Sequence, residues 1–169
     1  MKILSLKTIN FFSFESLDLD FEKYRGVTLI TGPNGSGKSS IFEAISWGLF
    51  GKTIRKSRAD DVINKNSNAC EVWIVIATPT DIIQVQRRRN RGASSQLTFS
   101  SVHTSEINQS TTTGAQETLE KLIGMDYKYF MSTVLFGGKV SSFCLLTDSE
   151  RKKILEELLG FDDYTRAHE

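Results

Sequence analysis

The feature that most constrains this chain is a glycine-rich loop that runs straight into an apolar helix, ITGPNGSGKSSIFEAISWGLFG at residues 30–51. Residues 32–39 match the pattern G-x-x-x-x-G-K-[ST] at every fixed position. Glycines let successive backbone N–H groups converge on phosphates, and the helix N-terminus adds a partial positive charge behind them. The sequence therefore predicts a nucleotide-binding loop, which we favour over a purely structural turn.

Two side chains in this loop have predicted chemical roles. Lys38 is the candidate catalytic residue, because its ammonium would lie between the β- and γ-phosphates of a nucleotide. Ser39 is the candidate metal ligand, because its hydroxyl would be offered to Mg²⁺. The loop is thus expected to bind a nucleoside triphosphate together with magnesium.

The machinery that would cleave such a triphosphate is not apparent in the sequence. Hydrolysis also requires a carboxylate near the magnesium and a group that orients water. The usual carboxylate source is an apolar strand that ends in Asp, and three segments come near this pattern without matching it. WIVIATPTD is interrupted by Pro79 before its aspartate, ILEELLG belongs to a helix, and TVLFGG ends in glycines. The chain is predicted to bind a nucleotide without a complete set of catalytic groups.

Hydrophobic periodicity predicts the order of the structural elements. The segments ILSLKTI and SLDLDF read as strands, and VTLIT (27–31) reads as a central strand buried on both faces. A helix is expected from Lys38 to about Phe50, closed by Gly51. A short helical turn is expected around residues 59–63.

The second half of the chain is predicted to begin with an antiparallel section. CEVWIVIAT and DIIQVQRRR read as a hairpin, followed by a third strand, SQLTFSSV. AQETLEKLI and DYKYFMS read as helices, and TVLFGG as a strand. The pattern from Thr147 to Glu150 has the form of a capping box and predicts a last helix. The expected fold class is α/β, with an antiparallel β section inserted after the first helix.

Composition narrows the class of protein. The chain has 169 residues, 39% hydrophobic and 24% charged, with a formal net charge of +1, so any nucleic-acid surface must be a local patch. Cys70 and Cys144 form no CxxC pair and are expected to be reduced thiols. The N-terminus lacks the apolar stretch of a signal peptide, and no apolar run approaches membrane-spanning length. We expect a soluble, cytoplasmic protein without membrane contact.

Beyond the loop itself, a family resemblance covers nearly the whole chain. GPNGSGKSSIFEAISWGLFGK resembles the N-terminal half of the ABC-type ATPase head of SMC-like proteins, above all the SbcC/Rad50 group of DNA double-strand-break repair ATPases and its phage recombination members. The opening segment with its turn at residues 10–13, the segment RADDVINKNSNACEVWIVI, and LIGMDYKYFMSTVLFGG with the helix after it are similar to that family too. The resemblance implies a P-loop NTPase fold, namely the N-terminal lobe of an ABC-type head.

In that family a coiled coil interrupts the head, and the magnesium carboxylate, catalytic glutamate and signature motif lie in a C-terminal half. The resemblance therefore implies that residues 1–160 are the N-terminal lobe and 161–169 the start of the coiled-coil root. Implied ligands are ATP and Mg²⁺. Implied partners are the C-terminal lobe, a second head in a homodimer, an SbcD-type nuclease subunit and double-stranded DNA. ATP hydrolysis is expected only with both the C-terminal lobe and the second head. The cellular location would be the host cytoplasm for a phage protein and the nucleus for a eukaryotic one.

The family's nucleotide contacts transfer onto the loop residue by residue. The implied nucleotide-binding residues are Asn34, Gly35, Ser36, Gly37, Lys38, Ser39 and Ser40. Two positions depart from the family pattern. Phe12 stands where the family often has an arginine that approaches the nucleotide, and Gly138 stands at the glutamine of the Q-loop. Glycine has no side chain to bind Mg²⁺ or position water, so weak basal turnover is expected unless backbone carbonyls, a bound water, Ser141 or Ser142 substitute.

The densest basic region surrounds the sequence RRRNR at residues 87–91. Arg88, Arg89 and Arg91 are predicted to touch DNA phosphates without sequence preference, the alternative being a solvated hairpin tip. A second candidate surface, at the coiled-coil root, would bind the nuclease subunit, the alternative being ordinary core packing; its residues are Lys152, Lys153, Leu158 and Phe161.

The function favoured by the sequence is the ATP-binding half of a DNA repair or recombination ATPase head that regulates a nuclease at double-strand ends. Two alternatives stay open. One is a self-contained small P-loop kinase, which would need its own catalytic carboxylate and acceptor site. The other is a non-catalytic ATP-sensing module that binds DNA.

Overall fold

A five-stranded antiparallel sheet is the framework of the first part of the chain. The computed structural model describes residues 1–55, 57–101, 112–135 and 147–158. Its strands are β1 (Lys2–Phe11), β2 (Phe14–Asp20), β3 (Ala69–Ala77), β4 (Ile82–Asn90) and β5 (Ser95–Ser101). They lie in the order β2-β1-β3-β4-β5, with every neighbouring pair antiparallel. The N-terminal hairpin and the inserted strands thus form one sheet, and these five predicted strands are confirmed.

The described part of the chain contains four helices. They are α1 (Lys38–Phe50), α2 (Thr112–Ile123), α3 (Tyr127–Thr133) and α4 (Asp148–Leu158). Short 3₁₀ turns span Phe21–Lys23 and Ala59–Val62, the second at the predicted place. The chain divides into two compact units, Met1–Gly124 and Met125–Glu169. The predicted boundary at residue 160 stays a prediction, and residues 161–169 lie outside the described residues.

The core of the first unit lies between α1 and one face of the sheet. On β3, alternate residues Cys70, Val72, Ile74 and Ile76 are buried, as a strand with one covered face requires. Burial raises the pKa of the Cys70 thiol to about 12, so this free cysteine stays protonated at neutral pH, as expected of a core thiol. Cys144 lies outside the described residues.

Close approach between α1 and the sheet depends on one glycine in the helix. An ideal Cβ built at Gly48 would lie 2.5 Å from Cδ1 of Ile74 and 3.0 Å from Cγ1 of Val72. A side chain at this position would force the side chains of Ile74 and Val72, or the helix, to shift. The helix ends three residues later at Gly51, whose φ of 67° is left-handed and whose N–H donates to the Trp47 carbonyl.

The predicted central strand at residues 27–31 is wrong for this structure. The segment pairs with no described strand, and Val27 is 101% exposed and Leu29 83% exposed. An apolar, β-branched run is typical of a buried strand, but burial needs neighbouring strands and a covering layer. The described residues supply neither for this segment, so its apolar side chains face outward directly before the phosphate-binding loop.

The helices of the second unit begin with side-chain caps. Asp126 accepts a hydrogen bond from the Tyr129 N–H at the start of α3. Thr147 and Glu150 form the predicted capping box at the start of α4, with the Thr147 N–H donating to the Glu150 carboxylate at 3.0 Å. The predicted strand TVLFGG is wrong at its described start, because Thr133 ends α3 and Val134 keeps a helical backbone. Residues 136–138 lie outside the described residues.

Among the described residues, the helices are all too short or too polar to cross a membrane.

We predict that Gly48→Ala lowers the free energy of unfolding. Overpacking against Ile74 and Val72 costs about 1–3 kcal/mol, and the helix propensity of alanine offsets at most roughly 1 kcal/mol of this cost. Chemical denaturation of the variant measures the loss. The control is the double variant Gly48→Ala with Ile74→Val, which removes the nearest clashing methyl group. The double variant should lose less stability than the sum of the two single changes, and simple additivity would contradict the close-contact account.

Candidate nucleotide-binding site

The loop at residues 32–37 has the backbone geometry that phosphate binding requires. Gly35 and Gly37 have φ values of 85° and 88°, a left-handed conformation that glycine adopts readily. The Ser36 N–H donates to the Pro33 carbonyl at 3.3 Å, which closes a tight turn. Helix α1 begins at Lys38, and its first N–H groups lack acceptors within the helix. The residues present therefore fit a bound polyphosphate.

The N-terminal hairpin of β1 and β2 packs against the loop at Gly37. An ideal Cβ built at Gly37 would lie 2.8 Å from Cζ of Phe14 and 3.0 Å from Oγ of Ser13. Both side chains belong to the start of β2 or the turn before it. Glycine is thus favoured at position 37 for two reasons, its positive φ and its close contact with the hairpin.

Lys38 lies across the start of the loop. Its Nζ donates to the carbonyl oxygens of Gly32 and Pro33, at 2.7 Å each. A triphosphate bound to this loop would offer stronger, anionic acceptors for the same ammonium. Lys38 is therefore close enough to the loop backbone to serve the predicted role.

The other predicted loop residues differ in exposure. Asn34, Gly35, Ser36 and Ser39 are exposed, so the Ser39 hydroxyl is accessible to a magnesium ion. Ser40 is only 5% exposed, and its N–H donates to the Gly37 carbonyl at 2.8 Å. The structure brings these residues together in one loop and helix start. Among the described residues, no cluster of three or more His, Cys, Asp or Glu side chains could hold a metal ion.

A buried carboxylate lies one helical turn beyond Ser39. Glu43 is 2% exposed and accepts hydrogen bonds from the Ile54 N–H at 2.7 Å and from Nε of Arg55 at 2.9 Å. Both oxygens are therefore engaged in holding the loop that follows α1. Sequence reasoning missed this pair; the only signal was a glutamate within the apolar stretch IFEAIS.

Arg55 also reaches the position where the family pattern has an arginine. Its guanidinium carbon lies 5.3 Å from the centre of the Phe12 ring. Phe12 has a φ of 48°, unusual for a residue other than glycine, and its N–H donates to the Val62 carbonyl at 2.8 Å. The structure thus places a cation beside the hairpin turn even though position 12 carries phenylalanine.

The first arginine of the basic run is part of the core. Arg87 is 2% exposed, and its guanidinium donates to the carbonyls of Gly48 and Leu49 and to the side chain of Gln116. Burial lowers the pKa of Arg87 to about 10, so it remains charged at neutral pH. A cation at the C-terminal end of α1 complements the helix dipole and secures the helix to β4 and α2.

The three arginines predicted to contact DNA do not share one face of the sheet. Arg88 forms an ion pair with Glu71 at 3.4 Å and is exposed on the face away from α1. Arg89 points to the opposite face, because successive residues of a strand alternate. Arg91 lies in the turn after β4, where its guanidinium donates to the Ser67 carbonyl at 3.1 Å.

Arg89 is paired with an aspartate from another segment. Its Nε donates to the Asp60 carboxylate at 2.8 Å, and the Gly92 N–H donates to the same carboxylate at 3.2 Å. The hydrogen bond from Arg89, with that from Gly92, holds the pKa of Asp60 below its ordinary value, so this carboxylate is ionised at neutral pH. Arg89 therefore presents less free positive charge than the sequence suggests.

Several predicted site residues lie outside the described residues. They include Gly138, Ser141 and Ser142 of the Q-loop region, and Phe161 at the predicted coiled-coil root. Within α4, Lys152 is exposed. The Q-loop role of Gly138 stays a prediction.

Comparison with known proteins identifies the class of this fold and site. A family model described as AAA domain matches residues 5–167. The chain is 25% identical over 170 residues to the DNA double-strand break repair Rad50 ATPase of Methanococcus maripaludis, which covers all of this chain and 17% of that protein. It is 33% identical over 148 residues to Exonuclease subunit 2 of Escherichia phage RB69, covering 85% of this chain and 25% of that protein.

A solved structure supports the same assignment of fold. It is described as "Structural biochemistry of ATP-driven dimerization and DNA stimulated activation of SMC ATPases", and it matches with a TM-score of 0.66 at 22% identity, over 94% of this chain and 99% of that chain. The chain belongs to the AAA domain family, among relatives of the Rad50/SbcC type, which confirms the resemblance read from the sequence. It spans only a quarter or less of the length of the relatives named above.

Proposed function

We propose that this chain is the ATP–Mg²⁺-binding half of an ATPase head that acts in DNA repair or recombination. The observation that carries the proposal is the loop at residues 32–39, with two left-handed glycines and Lys38 at the start of a well-packed helix. Backbone N–H groups of the loop and helix start would bind the β- and γ-phosphates. Lys38 would neutralise their charge, and Ser39 would supply one oxygen to the magnesium ion. Magnesium, when bound, would supply electrostatic stabilisation of the charged phosphates.

The active site is proposed to be completed by another segment. Glu43, the buried carboxylate on α1 near the loop, already accepts two hydrogen bonds from the loop after α1. The C-terminal lobe of the same ATPase would instead supply the magnesium carboxylate and the group that orients water. This division favours an ATPase head over the self-contained kinase, which would need both groups within the chain.

The exposed segment at residues 27–31 is proposed as the place where that lobe docks. Val27 and Leu29 are almost fully exposed, and Phe42 on α1 is 42% exposed. Burying each of these apolar side chains would stabilise the assembly by roughly 1.5–3 kcal/mol. Strands from the C-terminal lobe would pair with this backbone and cover its side chains, which explains why the predicted strand needs a partner to form.

Further assembly is proposed from the relatives. A second head in a homodimer would close over the bound ATP, in keeping with the ATP-driven dimerization named for the matched SMC structure. A nuclease partner of the SbcD type is proposed because one relative is named Exonuclease subunit 2 and another is named as a subunit of the SbcCD nuclease. In this proposal, ATP-dependent engagement of the heads regulates the nuclease at double-strand ends inside the cell.

The basic hairpin, formed by β4, β5 and the turn between them, is proposed to bind double-stranded DNA. Arg91 and Arg88 are exposed at and near its tip, and Arg89 lies beside them on the other face of β4. Backbone phosphates would be contacted without readout of the base sequence. DNA binding by this hairpin is expected both for the favoured function and for the alternative, an ATP-sensing DNA-binding module. ATP turnover by the complete head distinguishes the two functions.

We predict that Lys38→Ala weakens binding of ATP–Mg²⁺ by about ten- to hundredfold, because a charge-assisted hydrogen bond contributes roughly 1.5–3 kcal/mol. Equilibrium titration with a fluorescent ATP analogue measures the change. Lys65→Ala, which removes an exposed lysine elsewhere, is the matched control and should bind as the unaltered chain does. ATP turnover by this chain alone should stay at background. Multiple turnovers that disappear in the Lys38 variant would contradict the half-site and favour the kinase.

We also predict that joint replacement of Arg88, Arg89 and Arg91 by alanine flattens the salt dependence of DNA affinity. Each lost phosphate contact should reduce the slope of log K against log salt by about 0.9. A fluorescence anisotropy titration of a duplex at several salt concentrations gives the slope. The control replaces Lys2, Lys23 and Arg25, three cations near the opposite end of the sheet, and equal slopes for the two triple variants would count against DNA contact at the hairpin.

A further inference from the structure

The hairpin that joins β4 to β5 provides two hydrogen-bond donors to a single carboxylate, that of Asp60. Nε of Arg89 donates to Oδ1 of Asp60 at 2.8 Å, and the Gly92 N–H donates to Oδ2 at 3.2 Å. Arg91 follows in the same turn and adds a second positive charge there, with its guanidinium donating to the Ser67 carbonyl at 3.1 Å. Two guanidinium groups and a backbone N–H are the donors that proteins use to bind phosphate oxygens.

These donors are positioned by the hairpin itself. Arg89 lies opposite Ser95 in the β4–β5 ladder and donates a second hydrogen bond to its hydroxyl at 3.3 Å. The turn is closed by the Ala93 N–H donating to the Asn90 carbonyl, and Gly92 has the left-handed φ of 73° that directs its N–H toward the site. Arg91 is fixed by hydrogen bonds to the carbonyls of Asn68 and Ser67. The donor set would therefore persist if its present acceptor left.

The acceptor comes from a different segment of the chain. Asp60 belongs to the 3₁₀ turn Ala59–Val62, four residues long, in the loop between α1 and β3. Its side chain is 35% exposed and that of Arg89 is 14% exposed, so water reaches the pair. Solvent screening weakens an ion pair that water reaches, so a polyanion that releases counterions on binding can compete with it.

We infer that Arg89, Arg91 and the Gly92 N–H form a binding site for a phosphodiester group of DNA, and that Asp60 occupies this site as an internal competitor. A backbone phosphate offers the same pair of acceptor oxygens as the carboxylate and a similar charge. DNA must displace Asp60 to reach Arg89, so the chain binds DNA more weakly than its basic residues would allow. The inference rests on the proposed DNA contact of this hairpin and adds a built-in restraint to it.

The decisive variant is Asp60→Asn, compared with Asp61→Asn. Asp61 is the next residue in the same turn, and its carboxylate accepts a hydrogen bond from the Arg58 N–H at 2.9 Å rather than from a side chain of the hairpin. Both variants remove one negative charge from the same turn, so a general electrostatic effect would change both alike. Binding of the 169-residue chain to a fluorescein-labelled duplex of about 30 base pairs is measured at salt concentrations from about 50 to 200 mM, the range over which phosphate contacts dominate the change in affinity. Thermal unfolding of each variant is measured alongside.

Asp60→Asn is expected to raise DNA affinity about three- to tenfold at the lowest salt, because Arg89 then meets the phosphate without a competing carboxylate. Asp61→Asn is expected to change the affinity less. Adding Arg89→Ala to Asp60→Asn should abolish the gain. Equal gains for the two aspartate variants, or weaker binding by Asp60→Asn with unchanged thermal unfolding, would overturn the competitor role while leaving the DNA surface intact.

Failure of the DNA surface itself has a different signature. If the alanine triple variant at Arg88, Arg89 and Arg91 binds the duplex as tightly as the unaltered chain, the hairpin does not contact DNA, and the inference falls with that proposal. If the triple variant loses affinity, the comparison between the two aspartate variants decides the inference by itself.

Discussion

The packing of helix α1 across the antiparallel sheet is the interaction on which the candidate site depends. Gly48 allows the helix to lie directly on Val72 and Ile74, and Arg87 holds its last carbonyls from β4. At the other end, Gly37 rests against the N-terminal hairpin. Because both ends of the helix are fixed, the phosphate-binding loop at its start has a defined place before any ligand binds. Preorganisation of this kind lowers the entropic cost of binding a charged ligand.

Two segments lie between helix α1 with its sheet and the surfaces proposed to bind partners. The loop after α1 is tied to the helix through Glu43 and Arg55, to the hairpin turn through Val62 and Phe12, and to β4 through Asp60 and Arg89. The same segment thus contacts helix α1, the N-terminal hairpin and the hairpin between β4 and β5. The segment before the phosphate-binding loop, residues 27–31, differs from it, because its apolar side chains are exposed where a central strand would be buried.

Much of this fold could be predicted from the sequence, because its signals are local. The apolar run CEVWIVIAT predicts strand β3, and Gly51 predicts the end of α1. The prediction of a buried strand failed at residues 27–31. An apolar pattern shows that a segment is suited to burial, but it does not show whether neighbouring strands are present to cover it. The ion pair between Glu43 and Arg55 joins residues that only the tertiary fold brings together.

The basic run shows the same limit at the level of the site. Arg87, Arg88 and Arg89 look alike in the sequence, yet one is buried, one is exposed on the outer face, and one is paired with Asp60 on the inner face. The burial of Arg87 could have been predicted from the alternation of side chains along a strand, because Ile83 and Val85 place Arg87 on the buried face of β4. The pairing of Arg89 with Asp60 could not have been predicted in this way, since Asp60 lies on a separate loop.

The central proposal is that this chain is half of a nucleotide-binding head, in which residues 27–31 pair with strands of the C-terminal lobe. Hydrogen–deuterium exchange of those backbone amides tests it most directly, first in this chain with ATP–Mg²⁺ and then after addition of the C-terminal segment of the same protein. The account predicts fast exchange in the chain alone and strong protection once the second segment is present. Protection already present in the chain alone, or fast exchange that persists after the segment is added, would contradict it.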